Sequence, residues 1–424
     1  MAQPTQTLAS KHTQLVCQGC GNVGLERVLD LGHQPLCNEF IPEDEATRPQ
    51  TYYPLCLCYC NQCKLVQLDY VIPTEVTFGD QYTYLTGSSP SLIKYYDDLA
   101  ERLHKQLDLK PGDGIVEIGS NDGTFLKAFQ RLGVEVLGIE GAKQATALAK
   151  KVEVPVIEEF FGTGMAEKVK TKLPAGTNVR LIIGMNVLAH TDNINSFLDE
   201  VTKLMGPETT LISQSHWLVA LVQKFEFDTI YHEHLRYYTL ESLINLFQPH
   251  GLNIFDAEIT DFYGGSVLSY ASQAPAPAPE NRPPGLKSVL EQEATIDMAE
   301  VFTDMSQKLL KNKAELLTLL TDLKLSGKKV VGLGAPMKAS TLLNYYGITQ
   351  DLIEHIGEVN DLKVGTVVPG VRIPVIHESA MFEEEPDYAL LLSWNMAEFI
   401  IPKIRDLGYK GKFIVPVPEL EVIG

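Results

Sequence analysis

The chain has 424 residues, 45% of them hydrophobic and 21% charged, with a formal net charge of −19. That size and balance suit a globular protein of two or three domains, each able to bury a core. The acidic charge, with basic runs no longer than pairs such as Lys150-Lys151 and Lys328-Lys329, excludes a nucleic-acid partner, because a phosphate backbone needs clustered Lys and Arg. No apolar stretch has the length of a membrane span, and Met1 to Gln14 lacks the apolar centre of a secretory signal. The expectation is a cytoplasmic protein with no membrane partner.

All seven cysteines precede residue 64. An odd count in a reducing compartment points to metal ligation rather than to a disulfide framework. Cys17-x-x-Cys20 and Cys60-x-x-Cys63 each place two thiolates on one short turn, and two such pairs complete a closed tetrahedral zinc site. Cys56 and Cys58 are alternative ligands. Residues 1–74 are too few to stand on apolar burial alone, so a zinc-binding domain is expected there, with no role in chemistry because a closed site has no open position.

Residues 75–285 change pattern. Leu92, Tyr95, Tyr96, Leu99 and Leu103 recur at helical spacing, and Gly114 to Ile118 reads as a buried strand. Helix Phe125 to Leu132, strand Glu135 to Ile139, helix Lys143 to Lys151, strand Val179 to Ile183, helix Asn193 to Met205 and strand Thr209 to Ser213 follow. Such alternation predicts an α/β, Rossmann-like domain with a parallel sheet covered on both faces. Ala274 to Pro279 with Pro283-Pro284 marks an exposed linker. From Leu286 to Leu323 the apolar period predicts one helix of about 50 Å, long enough to brace two domains. Lys329 to Pro336, with later strands at Leu390 to Ser393 and Phe413 to Val415, predicts a second, smaller Rossmann-like domain over 286–424.

Four motifs carry candidate chemistry. In Glu117-Ile118-Gly119-Ser120-Asn121-Asp122-Gly123 the glycines permit a sharp turn and close ligand approach, but Asn121 and Thr124 stand where a dinucleotide fingerprint needs glycine. Glu140 ends the next strand where a carboxylate accepts ribose hydroxyls. An adenosine ligand without pyrophosphate, S-adenosylmethionine, fits both features. Asn186, after the fourth strand, is a candidate for its adenosine or methionine part, although a plain loop Asn has the same appearance. Tyr231-His232-Glu233-His234-Leu235-Arg236-Tyr237-Tyr238-Thr239 gathers proton-transfer groups before a helix capped by Thr239. The zinc-protease pattern fails there, since Arg236 stands three residues after Glu233. His234 is the catalytic candidate against the alternative of a hydrogen-bonded structural imidazole. The loop Gly332-x-Gly334-Ala335-Pro336-Met337-Lys338, followed by Asp361, suits a nucleotide phosphate or a structural turn ahead of NAD. Phe262-Tyr263-Gly264-Gly265-Ser266 reads as a ligand-approach loop or a hairpin turn.

In this order, the paired cysteines, Glu117 to Leu126, Asn186-Val187-Leu188-Ala189-His190, Tyr231 to Leu235, Gly264-Gly265-Ser266 and the second glycine loop with Lys338 resemble the sugar C-methyltransferases of deoxysugar biosynthesis. Those enzymes methylate the carbon beside the ketone of a nucleotide-linked 4-keto sugar. The resemblance covers nearly the whole chain and implies a zinc-bearing amino-terminal domain, a central S-adenosylmethionine domain and a carboxyl-terminal Rossmann-like domain. It implies His234 as general base, Tyr231 and Glu233 as its neighbours, and one of Tyr82 and Tyr84, here Tyr84, as a further participant. Where the family continues with serines, this chain has Leu85-Thr86-Gly87. The implied partner is a small molecule, a nucleotide-linked sugar. Alternatives are C-methylation of a non-sugar enolisable carbonyl compound, a nicotinamide oxidoreductase using the Gly332 loop, and a non-catalytic zinc-module scaffold.

Overall fold

The computed structural model describes residues 15–77, 85–383 and 385–424. In the amino-terminal region, strands Leu25–Pro35, Tyr52–Cys60 and Val66–Leu68 form an antiparallel sheet. Its fourth strand, Arg236–Tyr237, comes from far along the chain, with Arg236 opposite Gln67 and Tyr237 opposite Val66. The cysteine-bearing module therefore grips the stretch that carries His234.

The central sheet has seven strands, β1 (Asp113–Ile118), β2 (Glu135–Ile139), β3 (Val156–Ile157), β4 (Asn178–Met185), β5 (Thr210–His216), β6 (Asn253–Thr260) and β7 (Ser266–Ser272), in the order β6-β7-β5-β4-β1-β2-β3. Every residue of β1 is buried, as are β5 up to His216 and Leu181 to Met185 of β4, which is the pattern of strands covered on both faces. The neighbouring pairs among β1 to β5 are parallel, but β7 runs antiparallel to β5 and β6 antiparallel to β7. The sheet is thus mixed rather than wholly parallel. A tight turn through Gly264 and Gly265, at φ +82° and +131°, joins β6 to β7, and a connection that short can only reverse the chain. Strand order reverses between β1 and β4, which opens a crevice at their carboxyl ends.

The second sheet is built on parallel strands Tyr388–Leu391, Val330–Leu333, Ile356–Glu358 and Pro374–His377. Ile41–Pro42 of the amino-terminal region completes its far edge against Thr366–Val367. Ala335 N–H donates to Glu358 Oε2 at 2.6 Å, so the carboxylate that closes the second glycine loop is Glu358 at the strand end, not Asp361.

The single helix expected over 286–323 is two, Pro284–Glu293 and Met298–Leu325. Asp297 makes the break: its side chain accepts from Ala299 N (2.9 Å) and Glu300 N (3.2 Å), starting the second helix. Ile296 keeps the apolar period across the gap, which is why spacing alone does not show it. The second helix, about 42 Å long, buries Phe302, Met305, Leu309, Leu316 and Leu320 in one core with Leu29 and Leu55 of the amino-terminal sheet and Val330 of the second sheet. Among the described residues, no helix is long and apolar enough to cross a membrane.

Candidate active site

A cavity of about 720 Å³ opens at the carboxyl ends of β1, β2, β4 and β5 and reaches Lys338, in the first turn of helix Met337–Tyr346, and Asn395, in the 3-10 turn Trp394–Met396. Its first wall is the loop after β1. Gly119 lies at φ +69°, and a Cβ there would come 2.6 Å from Val187 Cγ2, so only glycine lets the loops after β1 and β4 pass each other. Asn121 (φ +51°) donates its N–H to Glu140 Oε2 at 2.9 Å, and Ala142 N–H donates to Oε1 at 2.8 Å. Burial raises the Glu140 carboxyl against those two bonds. Glu117 is buried with Oε2 unpartnered, and burial, then the charges of Asp122 and Glu140, push it well above the carboxylate range. Asn121 Oδ1 accepts from Thr86 N at 2.9 Å, and Asp122 Oδ2 from Gly87 N at 2.7 Å. These bonds seat the 86–88 turn on the loop. Asn186 (φ +57°) lines the cavity after β4, its N–H held by Gln214 O at 2.8 Å. Gly123 is not among the lining residues; a Cβ there would sit 3.1 Å from Val154, so it serves packing.

The second wall comes from the stretch after residue 226. His234 Nδ1 lies 2.9 Å from Thr229 O. A carbonyl oxygen only accepts, so Nδ1 bears the hydrogen and Nε2 keeps a lone pair. The Tyr231 ring lies 4.1 Å from the His234 ring and tilted 31°, with His190 5.0 Å away on centroids. Burial, then the charge of His190, hold His234 well below the ordinary imidazole range, so the ring is neutral at pH 7. Glu233, 3% exposed, accepts from Asn38 Nδ2 at 2.6 Å and Cys37 Sγ at 3.6 Å, and burial lifts its carboxyl to about 7 against both. His232 turns away, its Nε2 bonded to Pro54 O at 3.1 Å. Tyr82 and Tyr84 lie outside the described residues. Sequence reasoning assigned no role to His190, His216, Glu226 or Arg236, all of which line the cavity. The available signal for His216 was its place at the carboxyl end of a buried strand, where open sheets bind ligands.

Away from this cavity, the sulfurs of Cys17, Cys20, Cys60 and Cys63 all lie within 4.8 Å of one another, Cys17 to Cys63 at 3.4 Å and Cys20 to Cys60 at 3.6 Å. Four thiolates about 2.3 Å from one zinc stand about 3.8 Å apart, so the set fits a tetrahedral ion. Cys56 and Cys58 are not part of the group, because they sit in the strand interior before its terminal turn.

Comparison with known proteins matches three segments to one enzyme type. The zinc binding domain matches residues 17–78, the methyltransferase domain residues 92–257, and the C-methyltransferase C-terminal domain residues 261–418. C-methyltransferase NovU of Streptomyces niveus is 32% identical over 410 residues, spanning 96% of each chain. The chain belongs to the C-methyltransferase family. Solved S-adenosylmethionine-dependent methyltransferases also align, one from Thermotoga maritima (16% identity, TM-score 0.32, 43% of this chain and 92% of that one) and one from Aquifex aeolicus (18%, 0.32, 43% and 97%).

This C-methyltransferase is S-adenosylmethionine-dependent and carries a zinc-binding domain. The cavity suits the cofactor: a buried, unpartnered Glu117 oxygen asks for a cationic donor such as the methionine ammonium, and Gly119 keeps the loop clear of side chains. Gly119→Ala is expected to weaken S-adenosylmethionine at least ~10-fold through strain at positive φ and the clash with Val187; calorimetric titration checks it, and wild-type affinity would speak against the cradle.

Burial sets a pH dependence of stability. His190 and His232 are held at about 4, below their ordinary 6.5. Between those values the unfolded chain binds more protons, so stability falls as pH drops from 6.5 towards 4. Glu233 acts oppositely, its contribution being present below 4.5 and lost as pH rises through about 7. His232→Asn, outside the cavity, is expected to flatten the acid limb of Tm against pH; an unchanged slope in thermal melts would deny His232 that role.

Proposed function

We propose that this C-methyltransferase methylates the carbon beside the ketone of a nucleotide-linked 4-keto-deoxysugar through a base-generated enolate. The reading is carried by one observation: the neutral His234, with Nδ1 bound to Thr229 O, shares a cavity with the Glu117–Glu140 loop. The cavity's reach to Lys338 and Asn395, and its volume, favour a ligand longer than a free sugar.

When bound, S-adenosylmethionine supplies an electrophilic sulfonium methyl. Glu117, Gly119, Asn121, Glu140 and Asn186 hold it, with Gly123 setting the loop. A carbon beside a ketone becomes nucleophilic only once its proton is gone. His234 Nε2 takes that proton, and Tyr231 donates a hydrogen bond to the oxygen where charge develops. Glu233, held by Asn38, lines the same wall and orients the pocket, and Tyr84 is a further participant.

The test is a mass-spectrometric screen of nucleotide-linked 4-keto sugars for a cofactor-dependent gain of one methyl, located on carbon beside the ketone by fragmentation. Methyl transfer to oxygen, or turnover of a non-sugar ketone alone, would reject the reading.

A further inference from the structure

The cavity holds a further supported imidazole. His216 is the last residue of β5, and its Nε2 lies 3.1 Å from Glu226 Oε2. The His216 side chain is 14% exposed and that of Glu226 3%. Both line the cavity that contains His234, and His216 is one of the groups whose charge bears on that ring. The carboxylate is seated by the hairpin turn: a Cβ on Gly264 would fall 2.3 Å from Glu226 Oε2, so the glycine lets Glu226 lie against backbone. Lys224 Nζ ties the same turn through Gly264 O. This explains Gly264, which the proposed mechanism does not use.

The two cations lining the cavity, Lys338 and Arg236, are already committed, Lys338 Nζ lying 3.7 Å from Asp228 Oδ2. Arg236 donates Nε to Tyr238 Oη at 3.1 Å, one terminal nitrogen to Gln18 Oε1, and the other to Leu188 O and Thr191 O. An imidazole with one nitrogen held by a carboxylate has its other nitrogen left for a ligand and can carry a proton on each, the carboxylate balancing the charge.

We infer that His216 is a further catalytic residue, donating from Nδ1 to the ketone oxygen of the substrate, with Glu226 as its positioning residue. This rests on the enolate reading. As His234 Nε2 takes the proton from carbon, the C–H electron pair forms the carbon–carbon double bond and the carbonyl π pair moves onto oxygen, where the His216 hydrogen bond meets it. The carbon–carbon π pair then forms the bond to the methyl as the methyl's bond to the sulfonium breaks with its pair left on sulfur, the oxygen pair returns to re-form the ketone, and the proton remains on His234.

The experiment follows exchange of the hydrogen beside the ketone in deuterium oxide, with S-adenosylhomocysteine bound and 4-keto-6-deoxyglucose linked to thymidine or cytidine diphosphate as probe. Loss of one oxyanion donor typically costs ~10²–10³-fold, so His216→Asn is expected to slow exchange by that factor with unchanged S-adenosylhomocysteine affinity. Glu226→Gln slows it less, and in the His216→Asn background adds nothing. Exchange by His216→Asn within about threefold of wild type overturns the inference alone, and an additive Glu226→Gln loss overturns the positioning role. If His216→Asn does not fold, Glu226→Gln decides, wild-type exchange overturning the inference. No exchange by the wild-type chain with either probe overturns the enolate reading and this inference with it.

Discussion

Replacing His234 with alanine is expected to lower C-methylation by ~10²–10⁴-fold while S-adenosylmethionine binds as in the wild-type chain. The expectation follows from the two ring nitrogens. Nδ1 is occupied by Thr229 O, so Nε2 is the atom left to accept a proton, and burial keeps the ring neutral and able to do so. Alanine removes the acceptor but touches none of the groups that line the Glu117–Glu140 side. It also leaves a gap beside Tyr231 and His190, so Tm should fall. His234→Gln separates the two effects, since it fills most of that gap without a base and should lose comparable activity at smaller cost to Tm. Single-turnover rates by mass spectrometry, with calorimetric titration of the cofactor, read the outcome. Near-normal turnover by either variant, cofactor bound, would end the assignment of His234.

Metal removal should be nearly as severe, although a four-thiolate site has no open position for chemistry. Structural zinc contributes about 10–16 kcal/mol in small zinc-finger peptides, and here the ion would organise more than its own turns. Cys17, Cys60 and Cys63 share a core with Leu240, Leu243, Leu246 and Phe247 of the central region. Asn245 Nδ2 donates to Cys63 O at 3.2 Å, and Asn195 Nδ2 to Gln18 O at 3.0 Å. Leu68 N–H donates to Leu235 O at 2.9 Å beside the Arg236–Tyr237 pairing, one residue from His234. Chelation, or Cys60→Ser, is therefore expected to lower Tm and reduce turnover to below about a tenth of wild type, while cofactor affinity, which we assign to the separate Glu117–Glu140 loop, falls much less. Elemental analysis should find one zinc per chain before treatment and none after. A metal-free chain with wild-type turnover would refute this dependence of the stretch proposed to carry the base on the ion.

Much of the architecture was written in short-range pattern. Two thiolates three residues apart share one turn, buried strands read as apolar runs, and a glycine turn followed by an acid at the next strand end marks a ligand loop, because each of these depends on local geometry. The break before Asp297 was partly local as well, yet Ile296 carried the apolar period across it and hid the cap.

What the sequence by itself determined about this protein is the alternation that builds a Rossmann-like sheet, the spacing of its cysteine pairs and the stretch holding its candidate base. Only the tertiary structure decided that Arg236–Tyr237 pairs with the strand Val66–Leu68, that Asn38 reaches Glu233 across 195 positions, and that His216 meets Glu226. The first set arises from neighbours along the chain. The second arises where packing brings distant segments within hydrogen-bond range, and no residue spacing encodes that distance.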